Sequence, residues 1–365
     1  MAFKIYQPFE SADIISGKTN TVSSGFFPGG EISMSQSSFR TSSAQVKLTG
    51  SNGIYDVLNG TYYTNVYNNS VISPQLLFTI AYGDFNGNGI KTGSIFNHTK
   101  AIYTQYKNLL LGTVDQDGKF SFETGSASSA TYVTSSEVYI ISFASDLMKD
   151  QIDRGQWNML ISGSVSNNIS LIDELPLLTD SEKKEQRLVY QVVSGTYDSS
   201  LGRTVSDSSA TVGYQGLGLF YPKNGIIVLN ASKLSTLAGI PFNNLTSSAT
   251  DPVNHRSLYS AINGAPNGAV SRVRKSEIVP ASHYFIRVKN QDFNFSNNPS
   301  FVYQTTTSDV TRGEILTSIQ TSPKTYITTV GLYNELNELI AVAKLSRPTR
   351  KDFSNELLIR VRLDF

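Results

Sequence analysis

The sequence predicts a mainly β protein, with sandwich- or barrel-like antiparallel sheets and a few short helices. Only 16% of the 365 residues are charged, against about 25% in typical soluble domains, and Ser, Thr, Asn and Gly supply the remaining polarity. The 19 Tyr and 19 Phe residues favour pleated, half-buried surfaces. Turn signals such as Asn52-Gly53 and Asn59-Gly60 separate short apolar runs, which is typical of strands joined by tight turns.

The segment at residues 173–187 is the best candidate for a domain boundary, because it concentrates charged side chains around Pro176. We therefore expect a β-rich domain with short helices at residues 31–175. A second β-rich domain, with long loop excursions and a C-terminal sheet, is expected at residues 188–365. Residues 1–30 have few periodic apolar positions, so they predict an extended N-terminal arm.

Apolar runs predict the strands of the first domain, and capping signals predict its helices. A helix is expected from Thr99, which caps its start, to Gly112, which ends it. A shorter helix is expected at residues 145–153, and Asp117-Gly118 predicts a hairpin turn. The predicted strands are residues 76–82, 138–143 and 157–162.

The second domain is predicted in the same way. A short helix is expected to begin after Asn230 or Ser232 and to end before Gly239. Residues 240–280 are rich in Pro and Gly and predict a long surface excursion. In the last strand, residues 357–365, alternate apolar side chains share one face, which predicts a chain end tied into a sheet. The other predicted strands are residues 188–193, two strands within 217–229, and residues 284–288, 326–333 and 339–345.

The charge and the cysteine count exclude several classes of function. The net charge is +1 and no basic stripe is present, so we expect no nucleic-acid partner. The chain has no Cys, which excludes disulfides and thiolate metal sites. No apolar run approaches the roughly 18 residues of a membrane span, and the N-terminus has no signal-peptide pattern. We therefore expect a protein made in a cytoplasm.

One segment matches the start of a calcium-binding loop, with oxygen-bearing side chains at alternate positions and Gly at the sharp turn. The twelfth position of such a loop should be Glu, but it is Ile95. An Asn/Gly turn after a strand therefore explains the segment better, and we expect neither a metal nor a cofactor. The segment is Asp84-Phe85-Asn86-Gly87-Asn88-Gly89-Ile90.

The sequence gives little support for catalysis, and we expect no catalytic residues. The three histidines, His98, His255 and His283, lie in turn-like or strand-edge contexts. A catalytic triad is defined by its geometry, so the sequence alone does not exclude one. A carboxylate pair acting on a sugar has no spacing rule, and three acidic residues are candidates by type only: Glu123, Asp146 and Glu174.

Aromatic side chains in turn-rich stretches are the candidate partner contacts, because interfaces favour Tyr, Phe and Arg. They are Phe26, Phe27, Phe293, Phe295, Phe301 and Tyr303. Each group has an alternative explanation within the chain itself. The first two could pack locally onto the core, and the alternation of residues 293 and 295 fits a strand face in the core.

Several stretches resemble virion structural proteins of contractile-tailed phages, particularly those infecting marine cyanobacteria. The most specific are TYITTVGLYNELNELIAVAKLSRP (325–348) and LLIRVRLDF (357–365). The others are AIYTQYKNLLLG (101–112), GLFYPKNGIIVLNASKL (217–233) and IRVKNQDFNFSNNPSFV (286–302). Together they cover roughly a quarter of the chain.

The resemblance implies a structural component of the virion tail, most of all a baseplate wedge subunit that packs in many copies around the tail axis. Its implied partners are other tail and baseplate proteins and further copies of itself. A receptor-binding or fibre-attachment protein of the same virion is the alternative, although trimeric fibres usually contain repeats and none is visible here. A glycan hydrolase is the least favoured function.

Overall fold

The structure is a computed structural model that confirms the predicted fold class, because antiparallel sheets dominate and the helices are short. It describes residues 8–41, 63–68, 73–90, 97–110, 118–126, 129–163, 168–184, 187–207, 213–242, 254–266, 268–307 and 310–364. The helices are α1 (His98–Leu109), α2 (Ala231–Ala238), α3 (Asn254–Asn263) and α4 (Thr317–Gln320). Short 3-10 turns occupy Ser11–Asp13, Pro28–Gly30, Gln36–Ser38, Leu175–Leu177 and Glu182–Lys184.

Strands account for about half of the described residues. In the first half of the chain they are β1 (Ile14–Gly25), β2 (Ser33–Ser35), β3 (Tyr63–Tyr67), β4 (Leu76–Asp84), β5 (Phe120–Ser126), β6 (Ser129–Ser135), β7 (Glu137–Phe143), β8 (Gln151–Ile152), β9 (Met159–Ser162) and β10 (Asn168–Asp173). In the second half they are β11 (Tyr190–Asp198), β12 (Arg203–Ser206), β13 (Tyr214–Gln215), β14 (Gly218–Tyr221), β15 (Ile226–Asn230), β16 (Val270–Arg272), β17 (Arg274–Val288), β18 (Val302–Thr307), β19 (Val310–Ile315), β20 (Thr325–Tyr333), β21 (Leu339–Lys351) and β22 (Leu357–Asp364).

The chain divides into two compact units. The central unit is Val22–Glu277, and the terminal unit combines Met1–Thr21 with Ile278–Phe365. The borders fall within β1 and β17, so they differ from the predicted domains 31–175 and 188–365. The charged segment that suggested a boundary instead connects β10 to β11, which pair directly with each other. Part of the predicted N-terminal arm is β1, which belongs to a sheet with β17 and β22.

The central unit is built on one large antiparallel sheet. Its described strands run in the order β3-β4-β7-β15-β14-β11-β10-β9, and β12 pairs with β11 at the side. Side chains on both faces are apolar: in β7, Tyr139 and Ile141 join one buried cluster, while Val138 and Ile140 join another. Because both faces are covered, these strands are continuous apolar runs rather than alternating ones.

Helices and a hairpin cover the two faces of this sheet. Leu234 of α2 and Leu258 of α3 belong to the larger cluster. Tyr103 of α1 and Phe120 of β5 belong to the smaller one. The hydroxyl of Tyr103 donates to the Ser135 carbonyl oxygen at 2.8 Å and accepts from the Phe120 N–H at 2.9 Å. A buried tyrosine with both partners satisfied therefore fixes α1 against the hairpin of β5 and β6.

Several local predictions are confirmed. The side chain of Asn230 caps α2 by accepting from the Lys233 N–H at 3.3 Å, and Gly239 ends the helix with a φ of 66°. Strands β14 and β15 pair around the predicted turn, with Tyr221 opposite Ile226. The strands predicted in both halves of the chain are present, but β17 begins ten residues earlier than predicted, and β11 and β21 end five and six residues later.

Other local predictions are wrong. The cap of α1 is Asn97, whose side chain accepts from the Lys100 N–H at 3.1 Å, whereas Thr99 lies in the first turn. Residues 145–153 form turns rather than a helix, because Gln151 and Ile152 pair with β17. The hairpin predicted at Asp117-Gly118 lies partly outside the described residues and stays a prediction; the described partners of β5 are β6 and β13.

The predicted surface excursion at residues 240–280 is also wrong. It contains α3, in which Leu258 and Ile262 are fully buried at the helical spacing of four residues. It also contains β16 and the start of β17. Turn-forming residues lie at both ends of this stretch, so its composition predicts a loop although it contains a short amphipathic helix.

The terminal unit has a much smaller core. Strand β17 lies between β1 and β22, and two separate hairpins consist of β18 with β19 and β20 with β21. Leu332, Ile359 and Val361 form its buried cluster. The alternation predicted for the last strand is confirmed, since Arg360 and Arg362 are exposed. The final residue, Phe365, lies outside the described residues.

Candidate functional site

The terminal unit exposes most of the large apolar side chains that the described residues leave in contact with solvent, although it is the smaller unit. Six of them lie on the hairpin β20–β21 and in its turn, and we call them the hairpin surface. They are Tyr326, Tyr333, Leu336, Leu339, Ile340 and Val342. Apolar side chains concentrated in this way on a monomer mark an interaction site more often than a chance arrangement.

Strand alternation explains how the hairpin surface arises. In β21, Ala341 and Ala343 pack against the small core, so Val342 between them points to the other face. The pairing with β20 is irregular at the next position, where it skips Ile340. Ile340 is 66% exposed and Leu336, at the tip of the turn, is 78% exposed. The strand is thus apolar on both faces, but the described residues cover only one of them.

A glycine shapes the middle of this surface. A Cβ atom at Gly331 would lie 2.9 Å from Cε2 of Tyr333 and 3.1 Å from Cδ1 of Leu339. The two side chains therefore lie over the Gly331 backbone, and Val342 is its partner in the neighbouring strand. Any larger residue at this position would push the aromatic ring and the leucine away from the strand.

The backbone of the hairpin also offers binding groups. Strands β20 and β21 form a two-stranded sheet among the described residues. Each strand consequently has one edge that pairs with no other strand of the described residues, and a further strand could add there. An apolar face next to open strand edges is the arrangement that strand addition by another chain requires.

The loop between β17 and β18, residues 289–301, presents aromatic rings, and we call it the phenylalanine loop. Phe295 is 57% exposed and Phe293 is partly exposed, whereas Phe301 is buried. The rings of Phe295 and Phe301 pack edge to face with centroids 5.5 Å apart. Phe293 has a φ of 55°, a conformation that a bulky residue rarely adopts unless its surroundings impose it.

Two residues of the hairpin hold the phenylalanine loop in place. The hydroxyl of Thr325 donates to the Phe293 carbonyl oxygen at 2.6 Å. The fully buried Nζ of Lys351 donates to three oxygens at 2.8 Å each: the carbonyls of Asn290 and Asp352 and the amide oxygen of Asn294. The ammonium thus uses all three of its protons, which accounts for its burial without a carboxylate partner.

A groove of 690 Å³ lies in the same unit, between the start of β1, the end of β17 and the start of β22. Ile15, Phe285 and Leu358 supply apolar walls. Arg287 donates to Asp13 at 2.8 Å on its rim. The terminal unit therefore offers an apolar groove with a polar edge in addition to the hairpin surface.

The first two predicted contact residues belong to the core of the central unit. Phe26 and Phe27 are almost completely buried, and the Phe26 ring packs against Phe143 with centroids 5.3 Å apart. The local packing considered as the alternative is therefore the arrangement present. Gly29 and Gly30, with φ of 78° and 80°, turn the chain directly after these rings.

The other predicted contact residues lie in the terminal unit. Phe293, Phe295 and Tyr303 are partly exposed, but Phe301 is buried and supports the loop. The Tyr303 hydroxyl donates to Glu314 at 2.6 Å, which raises the pKa of the tyrosine. Sequence reasoning missed the hairpin surface. The signal that could have found it is the run Leu339-Ile340-Ala341-Val342, which is apolar at successive positions without a second covering element.

The candidate carboxylates are held by other groups of the protein. Burial raises the pKa of Glu174, which accepts hydrogen bonds from Tyr214 and from the Gln191 backbone and lies 3.9 Å from Arg187. Burial also raises the pKa of Glu123, and Arg187 opposes that shift. Asp146 is exposed in the turn after β7. Two of the three acids therefore share one arginine, an arrangement typical of a structural ion-pair network.

The histidines do not converge on these acids. Burial lowers the pKa of His255 in α3 to about 3, and the nearby charges of Arg256 and His98 add to the effect. His283 is buried in β17 within the terminal unit. Among the described residues, no three His, Asp or Glu side chains form a ligand set for a metal ion.

No described helix is long and apolar enough to cross a membrane. The chain matches no protein-family model, and comparison with curated proteins and with solved structures also gives no match.

Proposed function

We propose that this chain is a non-enzymatic structural subunit of a larger assembly, which it joins through the apolar surface of its terminal unit. The assembly we propose is the tail of a contractile-tailed phage, with the chain as a baseplate wedge subunit present in many copies. Its partners would be further copies of itself and other tail and baseplate proteins, and its location would be the virion.

The hairpin surface is the observation that carries the proposal. Large exposed side chains such as Leu336 and Ile340 are costly in a free monomer, and their burial against a partner contributes roughly 1.5–3 kcal/mol for each side chain. The open edges of β20 and β21 add backbone hydrogen bonds to that contact. A weakly charged protein with a net charge of +1 also adds little long-range repulsion between copies.

The placement in a phage tail rests on the resemblance. Its two most specific segments, 325–348 and 357–365, correspond to β20, β21 and β22. These are the strands that build the hairpin surface and its supporting sheet. The part of the chain that most resembles the phage proteins is therefore the part best suited to contact a partner.

The test replaces the apolar side chains of the hairpin surface. The double variant Ile340→Glu, Val342→Glu is compared with wild type by size exclusion with light scattering, alone and mixed with other tail proteins from the same genome. We expect wild type to form an oligomer or a mixed complex, and the variant to stay monomeric with an unchanged circular dichroism spectrum. The control is Leu188→Glu, since Leu188 is 73% exposed in the central unit.

Two outcomes contradict the proposal. One is a wild-type protein that stays monomeric at every concentration and ignores the other tail proteins. The other is a folded double variant that assembles as wild type does, because contact would then depend on another surface.

The phenylalanine loop favours a second candidate function, attachment to a receptor or fibre of the same virion. Its exposed rings are held rigidly by Thr325 and Lys351, as a recognition loop requires. The variant Phe295→Arg separates the two functions. Loss of assembly would assign the loop to the subunit contact, whereas intact assembly with lost binding to cells or fibres would assign it to attachment.

A further inference from the structure

The turn after β4 contains a buried carboxylate with an unsatisfied oxygen. Asp84 is 0% exposed, and its Oδ1 accepts from the N–H groups of Asn86 and Asn88 at 2.8 Å each. Its Oδ2 is buried and has no hydrogen-bond partner in the part of the chain that the structure describes. Burying a charged oxygen without a partner costs considerable free energy, so a ligand bound to this atom would stabilise the folded protein.

A second carboxylate lies opposite on the neighbouring strand. Asp84 pairs with Glu137 in the register of β4 and β7, so both side chains project from the same face of the sheet. Like charges directly opposite each other destabilise a sheet. The positive charge of Lys119 acts on Glu137, but its Nζ lies over the Phe85 ring at 5.3 Å from its centroid. A divalent cation would neutralise the two carboxylates together.

The turn also supplies neutral oxygen donors. Gly87 and Gly89, with φ of 86° and 74°, bend the backbone around the Asp84 carboxylate. The side-chain amide of Asn86 is exposed and that of Asn88 is half-buried, and neither has a hydrogen bond among the described residues. Carboxylate and amide oxygens on a flexible turn suit calcium, which accepts six to eight oxygen ligands in irregular geometry.

We propose that this turn binds a calcium ion, with Asp84 Oδ2 as its buried charged ligand and the amide oxygens of Asn86 and Asn88 beside it. Glu137 supplies the second negative charge. The sequence alone favours a plain turn, because its calcium-loop pattern has no Glu at the twelfth position. The structure provides that acid from the adjacent strand, where sequence spacing does not reveal it. This inference is independent of the proposed function.

A bound ion would also connect several elements of the central unit. The turn is already joined to α1, because the Thr99 hydroxyl donates to the Asn88 carbonyl oxygen at 2.9 Å. A Cβ atom at Gly87 would overlap the side chain of Asn97, the cap of α1. Calcium at this point would therefore stabilise the ends of β4 and β7 together with the start of α1.

The test uses the full chain after treatment with a chelator. Calcium chloride is titrated by calorimetry, and thermal unfolding is followed with and without calcium. We expect one saturable site with a Kd between about 10⁻⁵ and 10⁻³ M. At about 10 mM calcium the midpoint of unfolding should rise by roughly 3–10 °C. Magnesium should bind more weakly, because it requires a near-ideal octahedron of ligands.

The variant Asp84→Asn should abolish both responses, and it keeps an oxygen that can accept from the two backbone N–H groups. The matched control is Asp198→Asn. Asp198 accepts from the N–H groups of Ser200 and Leu201 in a similar turn, at 2.7 and 3.2 Å, but it is not fully buried. The control should respond to calcium as wild type does.

A second variant keeps the test decisive if Asp84→Asn does not fold. Asn86→Ala removes an exposed amide at little cost to folding, and we expect it to weaken calcium binding at least tenfold. The proposal is overturned if wild type gives neither a binding heat nor a thermal shift with calcium. It is also overturned if folded Asp84→Asn or Asn86→Ala binds calcium as tightly as wild type does.

Discussion

The two units of this protein treat apolar side chains in opposite ways. In the central unit, α2 and α3 cover one face of the large sheet, and α1 with the hairpin β5–β6 covers the other. In the terminal unit, the described residues cover only one face of the hairpin β20–β21, and its other face carries the hairpin surface. The central unit thus completes its core from its own residues. The described residues of the terminal unit leave the hairpin surface exposed to solvent.

The largest predicted effect is the loss of stability when a large side chain is removed from the core of the central unit. Trp157 is buried against Phe220, with ring centroids 5.1 Å apart. We expect Trp157→Ala to lower the free energy of unfolding by about 3–5 kcal/mol, because it leaves a cavity that the covered sheet cannot close. Denaturant unfolding followed by circular dichroism measures this loss.

The matched substitution lies in the terminal unit. Leu336→Asn removes a side chain that is 78% exposed, so in the monomer it should change the free energy of unfolding by less than about 0.5 kcal/mol. A large loss of stability in monomeric Leu336→Asn would contradict this difference between the two units, because the hairpin surface would then already belong to a core.

The next largest predicted effect is the loss of stability when the buried ammonium of Lys351 is removed from the terminal unit. Lys351→Met removes the buried ammonium that donates to Asn290, Asn294 and Asp352, and we expect a loss of about 1.5–3 kcal/mol. Hydrogen exchange should also become faster in residues 289–301, because the phenylalanine loop loses its attachment to Lys351. The control is Lys344→Met on the exposed face of the same strand, which should leave both measurements unchanged. Equal exchange rates in the two variants would show that Lys351 does not order the loop.

The smallest predicted effect is a loss of stability of the central unit as the pH falls. The pKa of His255 is about 3 in the folded protein, against about 6.5 when unfolded, so only the unfolded state gains a proton as the pH falls below 6.5. Acidification therefore destabilises the central unit through this residue. Between pH 7.5 and 5.0 wild type should lose about 2 kcal/mol relative to His255→Gln.

Comparing the pH dependence of wild type with that of the variant removes the contribution of groups common to both. Burial raises the pKa of Asp173 to about 6, and this carboxyl stabilises the folded state as the pH falls. Its effect opposes that of the histidine in wild type but is the same in both proteins. If the free energy of unfolding depends on pH in the same way in wild type and in His255→Gln, the histidine has the same pKa in the folded and unfolded states, and the prediction is wrong.

The sequence predicted the central strands well, because a strand covered on both faces is a continuous apolar run. It predicted α2 equally well, since Asn230 and Gly239 are local signals. It could not predict the domain borders, because a charged connection between two paired strands has the same composition as a linker. Nor could it assign the hairpin surface, since Ile340 and Val342 have the composition of core residues.

Long-range pairings account for the remaining features that the sequence could not predict. The acceptors of Lys351 include Asn290, 61 positions away, and no local pattern indicates that a lysine will be buried there. Glu137 comes to lie opposite Asp84 only through the register of two strands. Both sites depend on which strands become neighbours, and composition and periodicity do not specify this.

The terminal unit is assembled from segments at the two ends of the chain, and this sets an order of events during synthesis. Asp13 and Arg287, which form an ion pair, are separated by 274 positions. A ribosome adds roughly 5–20 residues per second, so the N-terminal segment waits on the order of tens of seconds for its partner strands. The central unit is one unbroken segment and can fold during that interval. The hairpin surface follows the whole central unit in the sequence, so it is made only after that unit.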